Sequence, residues 1–67
     1  MLEKVKEYIE RCYNRAKNYT EWRDIENCRA QAFGALTFAM DSGLVTYEET
    51  KVYWNGMWQK FQDLAYR

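Results

Sequence analysis

Three sets of residues have the types and spacing to do chemistry: the thiols Cys12 and Cys28, the adjacent carboxylates Glu48 and Glu49, and the acids Asp24 and Glu26. Thiols can bridge or hold a metal, and carboxylates can move protons. Each set has a simpler account. The cysteines lack Cys-x-x-Cys spacing, and with no histidine in the chain they cannot complete a usual zinc site. They read as small apolar side chains. Glu48 and Glu49 follow a threonine at a helix start, where the backbone dipole favours negative charge. Asp24 and Glu26 point to different sides of one helix and read as solvated. The glycines stand apart at 34, 43 and 56, so there is no glycine-rich phosphate loop. The chain reads as a non-enzyme with no cofactor, no metal site and no small-molecule substrate.

The bulk numbers point to packing. Sixty-seven residues make one domain, 1–67. At this size, burial and ordering entropy nearly cancel, so a chain needs a staple, a partner or very good packing. This one is 48% hydrophobic and 18% aromatic, and it contains no proline, which suits short helices. Ten basic side chains balance ten acidic ones. Residues 1–20 hold five basic and three acidic groups, residues 21–42 two and four, and residues 43–67 three and three. None of these segments is a basic field of the kind that drives nucleic-acid binding. Residues 1–10 are charged and amphipathic, without the apolar core of a secretory signal. The longest nearly apolar run, AQAFGALTFAM at 30–40, is far short of a membrane span. The expectation is a cytoplasmic protein with reduced thiols and no membrane contact.

Hydrophobic phase predicts three helices, roughly 2–17, 21–41 and 47–65, folded as an all-α, small antiparallel three-helix bundle. In the first, Leu2, Val5, Ile9, Cys12, Tyr13 and Ala16 share one side. In the second, Ile25, Cys28, Ala32, Ala35, Leu36 and Ala39 do, flanked by Trp22, Phe33 and Met40. Gly43 suits the left-handed position that closes such a helix. The third opens on TYEE, 46–49, a capping box, with Leu44 or Val45 as a hydrophobic staple. Its inward face is expected to be Tyr47, Thr50, Trp54, Met57, Trp58, Phe61 and Ala65, with Tyr53 and Leu64 at the edge.

The break between the first two helices carries no glycine or proline. Phase places it. Ile9 and Ala32 are about 140° out of register on one straight helix. A turn at 18–20 removes the conflict, with Asn18 and Glu21 together, or Thr20 alone, capping the new helix. The alternative is one long bent helix packed on a second chain.

The helix–glycine–helix run FAMDSGLVTYEETKVYW invites a second reading, a small DNA-binding regulator using the second helix, the turn and the third helix. The position that should pack the second helix of that motif is Glu49, and few basic groups follow. Nucleic acid is therefore disfavoured.

The remaining signal is surplus apolar surface. On the third helix, Gly56 lies about 160° around from Trp54, with Val52 beside it. On the second, the outward side holds Ala30, Gly34, Thr37 and Phe38 where a lone bundle should be polar. These six residues are the expected interaction surface. Phe38, Tyr53, Tyr66 and Tyr8 are candidate anchors. The expected function is a non-catalytic protein–protein interaction or assembly module, a homodimer or a complex with another protein.

Overall fold

A computed structural model describes all 67 residues. Three helices follow one another: α1, Leu2–Ala16; α2, Trp22–Asp41; α3, Tyr47–Ala65. Together they hold 81% of the chain, and there is no strand. Each bound lies within a residue of the phase expectation. The rod they form measures 35 × 16 × 16 Å.

α1 and α2 are separate helices, not one bent one. The amides of Asn18 and Tyr19 turn back onto the Arg15 and Ala16 carbonyls, each at 3.1 Å, and end the first helix. The next helix starts later than expected. Its N-cap is Glu21, in extended conformation, and no side chain caps it. Asn18 and Thr20 do not serve: both precede Glu21, the residue whose carbonyl accepts the first bonds of α2. The Glu21 carbonyl accepts from the Asp24 and Ile25 amides at 3.1 and 3.3 Å.

The second connection is tighter. Gly43 takes φ +76°, the left-handed region. Its amide donates to the Met40 carbonyl at 3.1 Å, and the Leu44 amide donates to the Ala39 carbonyl at 2.9 Å. This pair of bonds is the Schellman closure, which satisfies carbonyls that the helix end leaves free. Three residues on, Thr46 caps α3. Thr46 Oγ1 accepts from the Glu49 amide at 3.1 Å, and Glu49 Oε1 accepts from the Thr46 amide at 2.8 Å. Val45 is the buried residue before the cap, while Leu44 stays exposed.

Thirteen buried residues form the core. α1 contributes Val5, Ile9, Cys12 and Ala16; α2 contributes Ile25, Cys28, Ala32, Leu36 and Ala39; α3 contributes Met57, Phe61 and Leu64. Each set repeats at three and four residues, one stripe per helix. Tyr13 of α1 meets Phe61 of α3 edge to face, 5.4 Å between ring centres. The Tyr53 hydroxyl donates to the Lys6 carbonyl at 3.4 Å. Arg67 donates to the Tyr19 carbonyl at 2.9 Å, fastening the end of α3 to the α1–α2 turn.

The inward face of α3 differs from expectation. Its buried line is Thr50, Met57, Phe61 and Leu64. Trp54 and Ala65 are half-buried, Tyr47 is 65% exposed and Trp58 is 41% exposed. The reason is the place of α1. It closes only one flank of the α2–α3 pair, through Tyr13 and Lys6. Side chains rotated toward the other flank have nothing to cover them. Three short helices do not have enough surface to enclose both tryptophans.

Candidate interaction surface

The open flank is built from matching lines on two antiparallel helices. On α2, Trp22, Phe33 and Met40 sit about 60–80° to one side of Ile25. On α3, Trp54, Tyr47 and Trp58 sit about 40–80° to one side of Thr50. The two lines face the same way: Phe33 and Trp54 are in ring contact, 5.4 Å between centres. Trp22 is 55% exposed and Phe33 is 46% exposed.

Between the lines runs a groove of about 190 Å³, lined chiefly by Phe33, Leu36, Met40, Tyr47 and Trp54. Thr50, Lys51 and Asn55 also line it. The Thr50 hydroxyl is buried and committed to the carbonyls of Thr46 and Tyr47, at 3.1 and 3.2 Å, with Met40 Sδ at 3.8 Å. Charges border the flank in pairs. Arg29 bonds Glu26 at 2.8 Å, and Lys51 bonds Glu48 at 2.9 Å. Such a surface can bury apolar area.

A second cleft, about 320 Å³, lies at the α1–α2 turn. Arg15, Tyr19, Asp24, Asn27 and Gln31 line it, above Cys28. The Arg15 guanidinium is hydrogen-bonded to Gln31 Oε1. Both thiols are free and buried. Burial pushes the Cys12 thiol up, and a hydrogen bond with Tyr8 only partly opposes this. Its nucleophilic form is therefore suppressed. The adjacent acids Glu48 and Glu49 do what their position implies: Glu49 closes the capping box and Glu48 pairs with Lys51. Glu26 is likewise taken up by Arg29. No three His, Cys, Asp or Glu side chains converge. No helix is long and apolar enough to cross a membrane.

The six residues expected from sequence to form an interaction surface are placed as follows. Ala30, Gly34 and Phe38 are exposed on α2, and Val52 and Gly56 are exposed on α3. Thr37 is half-buried, its hydroxyl donating to the Phe33 carbonyl at 2.8 Å. A Cβ at Gly34 or Gly56 would meet nothing within 4 Å, so packing within the chain requires neither glycine. The α2 set and the α3 set both face away from a shared core, so they lie on separate sides of the rod. Of the candidate anchors, Phe38, Tyr66 and Tyr8 are exposed, while Tyr53 is half-buried against α1. Spacing predicts Tyr47 and Trp58 inside; the structure sets them on the open flank with Trp22 and Phe33. A shared offset of about 60–80° on both helices is the signal that marks them.

Comparison with known protein families, with characterised proteins and with solved structures finds no match to this chain.

Proposed function

We propose that this chain is a non-catalytic helical assembly module that works by binding protein, either a second copy of itself or another chain. One observation carries the reading: four large aromatic side chains, Trp22, Phe33, Tyr47 and Trp58, stand uncovered on one flank. Uncovered aromatic area of this extent, with its charges taken up in pairs, is the composition of a protein-binding surface. The outward line of Ala30, Gly34, Thr37 and Phe38, with Val52 and Gly56, is a second candidate surface of smaller side chains. Two buried thiols suit a reducing cytoplasm, where bridges do not form. A DNA-binding role through α3 has less support. The first turn of α3 carries Glu48 and Glu49, and Lys51 is already paired, so a phosphate would meet carboxylates first.

The test is photo-crosslinking in cells that make the protein. A benzophenone side chain replaces Trp22 in one variant and Gly34 in another. A discrete band of higher mass from either position supports a binding role. Recovery of only the free chain from both positions overturns it.

A further inference from the structure

We infer that the partner is a second copy of this chain, docked two-fold through the groove between α2 and α3. This rests on the reading of the protein as an assembly module, and it names the face and the occupant.

Spacing comes first. Beside its core stripe, α3 carries a second line at Tyr47, Lys51, Trp54, Trp58 and Ala65. Its steps are four, three, four and seven residues. α2 carries Trp22, Glu26, Arg29, Phe33 and Met40, again at steps of four, three, four and seven. These are heptad steps, apolar at Trp22, Phe33 and Met40 and at Tyr47, Trp54, Trp58 and Ala65, with the charged Glu26, Arg29 and Lys51 set among them. Both seams open on the flank that α1 leaves bare. Two such pairs laid face to face make a four-helix layer with α1 and its counterpart outside.

Area comes second. A stable interface takes about 800 Å² from each partner, roughly a sixth of the 4601 Å² this chain exposes. At ~150–250 Å² per aromatic side chain, the exposed parts of Trp22, Phe33, Tyr47 and Trp58 offer about 300–500 Å². The half-buried Met40 and Trp54 and the alkyl stems of Arg29 and Lys51 lie between them and add to this area. No other face of the chain gathers as many large apolar groups.

Charge favours a second copy over an acidic or a basic partner. A two-fold interface sets a surface against itself, so any net charge on it meets its own sign. Here Glu26 is paired with Arg29 and Glu48 with Lys51, within one chain, and the flank is neutral. A surface built for an acidic or a basic partner would carry the opposite sign unpaired. Shape agrees. Trp58 stands one helical turn beyond Trp54, beside a groove of about 190 Å³ open between Phe33 and Tyr47. In a two-fold dimer whose axis crosses the helices at the level of Trp54 and Trp58, each Trp58 faces the groove of the other copy.

Light scattering after size exclusion tests this over about 1 μM to 1 mM, the span of moderate to weak association. The wild-type chain should approach twice its 8.2 kDa mass. Trp58→Glu should shift dissociation to concentrations roughly thirtyfold higher per altered copy, the loss typical of a central aromatic anchor. Trp22→Glu, at a more exposed site, repeats the test should Trp58→Glu unfold, and far-ultraviolet circular dichroism reports folding. Gly34→Arg, on the outward line, should leave the dimer intact. A dimer that survives Trp58→Glu and Trp22→Glu but is lost in Gly34→Arg overturns the assigned face. A wild-type monomer at every concentration overturns the second copy as partner. In that case a crosslinked band from cells keeps the assembly reading, and its absence removes both.

Discussion

The rings of Phe33 and Trp54 lie 5.4 Å apart with their planes inclined at 37°, and they form the one aromatic contact that ties α2 to α3. Both side chains are only partly covered. The contact is therefore the hinge between the core and the open flank. Phe33→Ala and Trp54→Ala should each lower stability, and the double variant should lose less than the sum. A coupling of about 0.5–1.5 kcal/mol is expected from urea unfolding of the four chains. Additive losses would mean that the rings are neighbours without energetic contact.

The capping box should be felt in the melting temperature. Thr46→Ala removes the acceptor of the Glu49 amide and should cost about 1 kcal/mol. In a chain this short that is a fall of roughly 4–8 °C by calorimetry. Glu49→Ala breaks the reciprocal bond, and the two losses should not add.

The glycines divide by backbone. Gly34 and Gly56 sit in helix interiors with open space where a Cβ would go. Ala at either site should raise monomer stability by up to about 1 kcal/mol. Gly43, at φ +76°, should lose about 1 kcal/mol or more with Ala, because a Cβ is strained there. Chemical denaturation of the three variants tests the difference in sign.

How much was legible in the sequence follows from which features are local. Gly43, Thr46 and Glu49 define their turn within a few residues, and the three core stripes repeat on their own helices. The break near residue 19 also follows from phase, although the cap fell on Glu21 and not on Thr20. Phase alone turns Trp58 and Tyr47 inward, because a stripe a third of a turn wide does not separate its centre from its flank. Which flank stays open depends on where α1 lands, and that is decided by tertiary contacts such as Tyr13 on Phe61. The outward direction of Gly34, Phe38, Val52 and Gly56 was legible by the same phase. What binds there was not, because exposure says nothing about an occupant.

Alkaline pH should weaken the fold through Tyr53. Burial, and then the nearby charges of Glu10 and Glu3, push its phenol up to about 12, against an ordinary value near 10. The folded state thus holds the proton more tightly than the unfolded chain. The resulting stability is fully present below pH ~10 and is lost as pH rises through ~12. Cys12, also raised, adds a loss of the same sign above the ordinary thiol range. The urea midpoint should be steady through neutral pH and fall in this window. Tyr53→Phe should flatten the upper part of the fall.

Thiol labelling should report the core. Cys12 and Cys28 are buried on facing helices. At pH 8 both should react with a disulfide reagent far more slowly than in urea, at the rate at which α1 and α2 open. Fast labelling of the native chain would mean that this pairing is loose.

An odd number of helices in an up–down–up rod leaves the two chain ends far apart. Met1 begins at the end where α2 turns into α3, and Arg67 is fastened beside Tyr19 at the other. The long axis between those ends is 35 Å. Joining them into a circularly permuted chain takes a linker of about ten extended residues. Cargo fused to Met1 and cargo fused to Arg67 would be held apart like loads at the two tips of a strut.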